Sequence, residues 1–354
     1  MTPARPVTGK VRPRLLEEVV YKQLGRKRSE VSIGPRSGVD TSAIRLGNGK
    51  VLLTTTDPLS LIPAIGPSES AWMSAHLLAS DLATTGLEPK YGAFDFNLPP
   101  SMKDSTFEEY WKSFHKTCKE LGTAIIGGHT GRYDGCDYTI IGGGVMMTIG
   151  SEGGFLTSAM GGAGDDLILT KGAAIETTAV LTRTYPHRVR KELGDRLFDR
   201  AWQYLRKVTI VKDALTAASV GINDKGVTAM HDATEGGVIA ASIELARASE
   251  TGLILDFEAI ELSQETNEVC KLSRINPLTC LSEGSLIIAS KPSATSRVIH
   301  RLSSKGILAD VVGRLVPHVR GYHYTSKSTT SRLNPPGIDP YWKAFEAAQR
   351  RGWN

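Results

Sequence analysis

The spacing of apolar positions predicts strands and helices that alternate along most of the chain. Short runs rich in β-formers predict strands, for example at residues 51–56 and 166–170. Apolar residues at helical spacing predict amphipathic helices, for example at 68–85, with Ser68 as the N-cap and Gly86 as the stop. Mixed element types in both halves of the chain are typical of an α/β or α+β protein.

A small-residue, glycine-rich stretch at residues 151–164 divides this pattern into two halves. We therefore expect one domain at 31–152 and a second at 153–330. An N-terminal tail and helix are expected at 1–30, with the helix at 15–24, and a C-terminal tail at 331–354. Each half follows the same crude plan of a strand, a loop with glycine, threonine and an acid, and then a helix, without a strict sequence repeat.

Composition narrows the class of protein. The chain has 354 residues, 40% of them hydrophobic and 22% charged, which is typical of a soluble globular protein. No apolar run reaches the ~18 residues of a membrane span and the N-terminus lacks a secretory apolar core, so we expect a cytoplasmic protein that is not bound to membranes. The net charge of +5 lies largely near the ends of the chain, without an aromatic-interleaved basic stripe, so nucleic acid is not an expected partner. The four cysteines form no CxxC pair and are expected to be reduced, mostly buried thiols.

Residues 231–237, His-Asp-Ala-Thr-Glu-Gly-Gly, combine an acid, a hydroxyl and two glycines directly before a predicted helix. Helix starts with bare glycines hold phosphates, because backbone N–H groups point outward and the helix dipole favours negative charge. Asp232 would repel a phosphate unless Mg²⁺ or a proton lies between them. The segment therefore predicts a metal-assisted phosphate site rather than a plain turn.

Three further aspartates, Asp40, Asp57 and Asp81, lie at positions that could join such a site. Asp57 follows the predicted strand at 51–56, and Asp81 lies in the predicted helix at 68–85. Carboxylate oxygens are the hard ligands that Mg²⁺ prefers. A single aspartate is more often an N-cap or a turn former than a ligand, but four in this setting favour a metal site.

Residues 127–131, Gly-Gly-His-Thr-Gly, follow a short predicted strand and would let backbone approach a ligand closely, although such a sequence can also be a simple turn. His129 could be a general base, a metal ligand or a hydrogen-bonding loop residue. Asp165 and Asp166 could recruit metal or form a polar turn. The sequence contains no GxxxxGK[ST], GxGxxG, GxSxG or HExxH motif, which excludes the common phosphate-loop, dinucleotide, hydrolase and zinc-protease signatures.

Taken in order, these segments resemble the ATP-binding family of aminoimidazole-ribonucleotide (AIR) synthase and the hydrogenase maturation factor HypE, whose fold thiamine-monophosphate kinase and selenophosphate synthetase share. The resemblance runs from about residue 32 to about residue 313. It is carried by segments 38–44, 55–57, 80–89, 127–130, 164–172, 231–237 and 282–288.

The resemblance implies an α/β (α+β) subunit with two domains: an N-terminal mixed-sheet domain that dimerises and a C-terminal α/β sandwich domain. It also implies an ATP- and Mg²⁺-dependent phosphotransferase or ligase/dehydratase with a small-molecule or carrier-bound acceptor. By this resemblance Asp232 and His129 are the catalytic candidates. The implied metal ligands are Asp40, Asp57 and Asp81, and the implied nucleotide contacts are Gly127, Gly128, Thr130, Thr234, Gly236 and Gly237.

Some positions depart from the family pattern. The chain ends Gln-Arg-Arg-Gly-Trp-Asn, without the C-terminal cysteine that carries the substrate in HypE, so dehydration on its own tail is not expected. Val39 and His129 replace acids, which suggests altered metal binding. No selenocysteine/cysteine-Gly-Lys segment lies near the N-terminus, which argues against selenophosphate synthesis. These departures leave a second hypothesis, a non-catalytic nucleotide-binding or scaffold relative.

Overall fold

The framework of the computed structural model, which describes residues 9–11 and 13–354, consists of two β-sheets. The first sheet has six strands in the order β1-β2-β3-β6-β4-β5, and of its pairs only β4 with β5 is parallel among the described residues. Its strands are β1 (Val31–Ile33), β2 (Ser42–Gly47), β3 (Lys50–Ser60), β4 (Tyr91–Leu98), β5 (Ala124–Arg132) and β6 (Ile140–Ser151).

Two long helices, α2 (Pro67–Ala83) and α3 (Asp104–Glu120), pack on one face of this sheet. Strand side chains such as Leu53, Phe94 and Met146 form a buried core with the helices. The opposite face of the sheet carries no helix in the described part of the chain. Before β1, the chain forms a short turn of helix, α1 (Pro13–Leu15), and a π-helical segment (Leu16–Val20), so the predicted helix at 15–24 is shorter than expected.

The second sheet has seven strands in the order β13-β12-β9-β11-β7-β10-β8. Helix α8 covers one face, and α7 and α10 cover the other, so strands such as β8 and β10 are buried throughout. A layer of helices packs at one end of this sandwich. The strands are β7 (Asp166–Thr170), β8 (Val227–Asp232), β9 (Gly252–Asp256), β10 (Leu286–Ser290), β11 (Ala309–Val316), β12 (Tyr322–Ser326) and β13 (Thr329–Arg332). The helices are α4 (Ile175–Thr184), α5 (Pro186–Leu193), α6 (Asp195–Trp202), α7 (Val211–Ala218), α8 (Gly237–Ala248), α9 (Gln264–Ser273), α10 (Pro292–Ser303) and α11 (Pro340–Arg350).

This architecture confirms the predicted α/β class with two domains, a mixed sheet followed by a sandwich. The first sheet ends at Ser151 and the second begins at Asp166. Beyond β13 the chain forms α11, which packs on the helical layer through Tyr341 and Ala348. The region expected as a C-terminal tail is therefore in large part a docked helix.

Strand β3 is longer than predicted, so Asp57 lies inside it and not at its end. The ladder with β6 continues through Asp57, paired with Gly144, and Pro58, paired with Gly143, to Ser60. Pro58 is tolerated because β2 pairs only as far as Thr54, which leaves the next part of β3 free on that side. The missing N–H of proline can therefore face a position without a partner strand.

The glycine-rich segment expected as a loop is also part of a strand. Gly128, His129 and Thr130 continue β5 and pair in parallel with Phe94, Asp95 and Phe96 of β4. At Gly128 an added Cβ would lie 1.9 Å from the carbonyl oxygen of Phe94. This glycine therefore lets two strand backbones approach each other, whatever its role toward a ligand.

Ser68 is not the N-cap of α2, as the sequence suggested. Gly66 occupies the cap position, Pro67 begins the helix, and the hydroxyl of Ser68 donates to Glu109 Oε1 at 2.8 Å. The prediction for the cysteines is confirmed, because all four are free and Cys118, Cys270 and Cys280 are buried. Among the described residues no helix is long and apolar enough to cross a membrane.

Candidate functional site

Aspartates from both domains converge where the two domains meet. Asp57 and Asp81 come from β3 and α2, and Asp232 stands at the end of β8. The hydroxyl of Thr55 lies within hydrogen-bond distance of the backbone oxygen of Asp40 and of Asp81 Oδ2, each at 2.9 Å, and so joins the loop after β1 to α2. The structure therefore brings together all four aspartates that the sequence singled out, and we call Asp40, Asp57, Asp81, Asp232 and the neighbouring Glu283 the acid cluster.

Several oxygens of the acid cluster are buried without a partner. Asp232 is 1% exposed and Glu283 is 7% exposed. Neither carboxylate oxygen of Asp232, nor Oε2 of Glu283, has a hydrogen-bond partner among the described residues. Buried polar atoms are normally satisfied, so these atoms indicate a ligand that the chain itself does not supply.

The electrostatics of the acid cluster also indicate a ligand that the chain does not supply. Burial, then the charges of Asp232 and Asp40, raise the pKa of Asp57 to about 7. Burial, then Asp40, raise the pKa of Asp232 to about 6, and burial holds the pKa of Asp81 and of Glu283 well above the usual range of carboxyl groups. Like charges at this spacing are unfavourable without a cation, because each destabilises the ionised form of the others.

His231 connects the two domains beside the cluster. Its Nδ1 lies 2.6 Å from Asp40 Oδ2, and its Nε2 lies 3.0 Å from Glu244 Oε2 in α8. Burial lowers the pKa of His231, but Asp40 and Glu244 outweigh that effect and hold the pKa well above the usual value for histidine. The side chain is therefore an imidazolium that donates from both nitrogens and keeps Asp40 in place.

This donor set fits Mg²⁺. The available atoms are carboxylate oxygens, which suit a hard divalent cation. One atom each from Asp40, His231 and Asp232 lie within 4.8 Å of one another. Because both nitrogens of His231 are already engaged with carboxylates, the imidazole would orient a ligand and not serve as one.

Of the predicted residues on β5, His129 lies away from the acid cluster within this chain, whereas Gly128 and Thr130 are paired with Phe94 and Phe96 on the helix side of the sheet. Residues directly opposite in neighbouring strands share a face of the sheet. Through the ladders, Asp57 shares its face with Gly144 and Phe94, on the helix side, whereas His129 is paired with Asp95, which is paired with Gly143. His129 therefore points to the open face, where its Nε2 lies 2.7 Å from the hydroxyl of Tyr133.

The start of α8 is more occupied than the sequence suggested. Gly236 and Gly237 both have positive φ, as the glycine-rich turn requires. However, the N–H of Gly236 donates to Asp339 Oδ2 at 2.8 Å, and the N–H of Gly237 donates to the backbone oxygen of Thr234 at 3.1 Å. These two amides are engaged within the chain, so the geometry does not support them as phosphate contacts in this conformation.

The second acidic pair is structural. Asp165 is buried and accepts from the N–H of Gly162, the hydroxyl of Thr228 and the ammonium of Lys291, at 2.7–2.9 Å. Asp166 accepts from Thr295 at 2.8 Å. Of the two interpretations that the sequence left open, a polar turn and a metal site, the structure favours the turn.

Sequence reasoning assigned no role to four residues that the structure places at the site: Lys10, His231, Glu244 and Glu283. His231 and Glu283 lie inside motifs that were noticed, so their positions carried a signal. No sequence motif marked Lys10 or Glu244. Lys10 lies in an N-terminal arm and Glu244 on a face of α8, and only folding brings them to the site.

Comparison with known proteins identifies the family of the chain. Residues 38–147 match the N-terminal domain of AIR synthase related proteins, and residues 162–325 match the C-terminal domain. The chain belongs to the AIR synthase-related family. The resemblance inferred from the ordered motifs is thereby confirmed.

Two curated relatives of the AIR synthase-related chain cover most of its length. Carbamoyl dehydratase HypE of Rhizobium leguminosarum is 26% identical over 295 residues, which span 80% of this chain and 77% of the relative. Selenide, water dikinase of Methanocaldococcus jannaschii is 27% identical over 300 residues, which span 82% and 84%. These relatives are enzymes, and the chain is an enzyme of the same family.

Solved structures show the same fold. ThiL complexed with AMPPCP and TMP superposes with a TM-score of 0.70 at 18% identity, covering 94% of this chain and 99% of ThiL. A chain of the HypE–HypF complex also gives a TM-score of 0.70, at 17% identity, covering 91% and 99%. Both likenesses support the two-domain architecture of this family member.

Proposed function

We propose that the chain is an ATP- and Mg²⁺-dependent enzyme that transfers a phosphoryl group to an oxygen of its acceptor at the acid cluster. One observation carries the proposal: buried carboxylates from both domains face one another, and the oxygens of Asp232 lack partners within the described residues. ThiL forms a complex with AMPPCP, an ATP analogue, and selenide, water dikinase is by its name a kinase, which supports ATP as the cofactor.

The residues of the chain have separate tasks in this proposal. Asp40, Asp57, Asp81 and Asp232 would hold Mg²⁺, which when bound neutralises phosphate charge during transfer. Thr55 fixes Asp81 through its hydroxyl, and His231 fixes Asp40. Catalysis would then rest on positioning and charge neutralisation, which supply most of the rate in phosphoryl transfer. The acceptor is a small molecule or a group on a carrier protein; the HypE–HypF complex is a family precedent for a protein partner.

We further propose a homodimer formed through the open face of the first sheet. This face carries apolar side chains without a covering helix in the described part of the chain, among them Tyr91 and Ile149, which are 39% and 42% exposed. Contiguous exposed apolar surface of this kind marks association sites. His129 lies on the same face, so a dimer would bury it against a second copy.

The decisive experiment measures binding of AMPPCP to the full chain by calorimetry, with and without Mg²⁺. We expect binding that requires Mg²⁺ and that falls at least about tenfold in Asp57→Asn and in Asp232→Asn, because each removes one ligand charge. Asp310→Asn, on an exposed strand position, is the matched control. Equal binding by all four proteins, or no binding with Mg²⁺, would refute the metal-dependent site and favour the non-catalytic alternative.

A further inference from the structure

An N-terminal arm, residues 9–11, contacts the turn that follows Asp232, beside the acid cluster. The backbone N–H of Lys10 donates to Glu235 Oε2 at 2.6 Å, and its ammonium donates to the hydroxyl of Thr234 at 2.9 Å. Both contacts are made to the turn that follows Asp232. Both the backbone and the side chain of Lys10 are thereby held at this turn, although Lys10 and Glu235 are 225 positions apart in the chain.

The ammonium of Lys10 is held at Thr234, two residues from Asp232, where nearby carboxylates act on its charge. Burial lowers its pKa, but Glu244, Asp40, Asp232 and Glu235 outweigh that effect and raise the pKa above the usual value. In return, Lys10 lowers the pKa of Asp57 and of Asp232. Lys10 and His231 therefore both supply positive charge that acts on Asp232.

A contact from the C-terminal helix holds the arm in place. Trp342 Nε1 in α11 donates to Glu235 Oε1 at 3.2 Å, while the other oxygen of Glu235 holds Lys10. We call this pair the Glu235–Trp342 latch. Gly9 fits against it: its φ is +110°, and an added Cβ would lie 2.7 Å from Trp342 Nε1 and 2.8 Å from Glu235 Oε1. Steric fit at Gly9 therefore holds the arm in place as well as the hydrogen bonds.

We propose that Lys10 is a built-in counter-cation of the acid cluster, which a divalent cation must displace, and that the Glu235–Trp342 latch sets how strongly the arm competes. A divalent cation and an ammonium cannot both lie close to the same carboxylates without mutual repulsion. Once displaced, Lys10 remains within reach of anionic groups that arrive with the metal. The inference rests on the proposed metal site but concerns the competition, which can be measured with metal alone.

The test is titration of the full chain with Mn²⁺, without nucleotide, following free Mn²⁺ by electron paramagnetic resonance. Lys10→Met removes the charge and keeps most of the side-chain length, so we expect Mn²⁺ to bind on the order of tenfold more tightly. Lys10→Arg keeps the charge and should bind Mn²⁺ like the parent chain. Trp342→Phe removes the indole donor together with the five-membered part of the ring, so we expect tightening by about two- to threefold, in line with the loss of one hydrogen bond.

Lys22→Met is the matched control, since Lys22 is an exposed lysine of the same N-terminal region. Equal or weaker Mn²⁺ binding by Lys10→Met would overturn the competition, while the proposed function would stand. Absence of Mn²⁺ binding in the parent and in every variant would overturn both. Circular dichroism spectra of all variants check that each remains folded.

Discussion

His231 Nδ1 lies 2.6 Å from Asp40 Oδ2 and thereby ties the loop after β1 to the end of β8. One side chain thus joins the two domains at the point where the acid cluster forms. Glu244 contacts the other ring nitrogen at 3.0 Å, so the imidazolium lies between two carboxylates. The contact that orients a metal-ligand candidate is also a contact that holds the domains together.

Replacing His231 with leucine should therefore destabilise the protein. The change leaves Asp40 and Glu244 close together without the cation between them, and we expect a loss of about 2 kcal/mol in the free energy of unfolding, below the ~3–5 kcal/mol of a fully buried pair. The discount reflects solvent access, since Glu244 is 28% exposed. Urea denaturation gives the measurement, with His115→Leu on the exposed side of α3 as control. Equal midpoints for both variants would contradict this role.

Metal affinity should depend on pH in the neutral range. A carboxyl group must lose its proton to bind a divalent cation, and the pKa values of Asp232 and Asp57 are raised to about 6 and about 7. We expect Mn²⁺ affinity to rise as the pH increases from about 5.5 to about 7.5, by up to ~10-fold per pH unit for each proton released. Flat Mn²⁺ affinity across this range would contradict the raised pKa values.

The same raised pKa values should make the metal-free protein less stable as the pH rises. The folded pKa of Asp57 lies above its ordinary value of 3.8, so its contribution is fully present below about pH 4 and is lost as the pH rises through about 7. Asp57→Asn should remove the share of this stability loss that comes from ionisation of Asp57. Thermal denaturation in the presence of a chelator, at several pH values, measures the difference.

Substitution can separate the roles of Gly127 and Gly128, two adjacent glycines of β5. In Gly128→Ala the new methyl group would meet the Phe94 carbonyl oxygen at 1.9 Å, whereas at Gly127 nothing lies within 4 Å of an added Cβ. We expect Gly128→Ala to lose about 2–4 kcal/mol of stability by forcing β4 and β5 apart, and Gly127→Ala to lose less than ~1 kcal/mol. Thermal and urea unfolding measure both.

Gly127→Ala then tests the predicted nucleotide contact by itself, because its fold should be intact. Weaker AMPPCP binding by this variant would support a ligand role for the segment. Unchanged binding would leave the strand pairing at Gly128 as the reason for glycine in this stretch.

The proposed homodimer predicts a charge-sensitive interface. Met147 lies on the open face, paired with Thr54 and Tyr91 in the neighbouring strands. A glutamate at this position would be buried without a partner in a dimer, so Met147→Glu should convert the dimer to a monomer. Sedimentation velocity gives the mass. Lys116→Glu on α3, away from this face, should leave it unchanged, and a parent chain that is already monomeric would refute the proposal.

Much of the architecture was accessible from local pattern. Short runs rich in β-formers marked β3 and β7, and helical spacing marked α2 and α8, because each of these elements buries one apolar set. The ends of β3 and β5 were missed for a common reason. Proline and glycine usually end strands, and here pairing with a neighbouring strand carries the chain through Pro58 and through Gly128.

The α/β class, the family, and the four aspartates that the fold brings together could be read from residue type and order along the chain. Which polar atoms are free and which are engaged depends on contacts that form on folding. In the folded protein the N–H of Gly236 donates to Asp339, and His129 lies on the opposite face of the sheet from Asp57. Lys10 lies near enough to the carboxylates for their charges to act on it. Such contacts join residues that are far apart in the chain, and they depend on strand register and burial, which no local pattern contains.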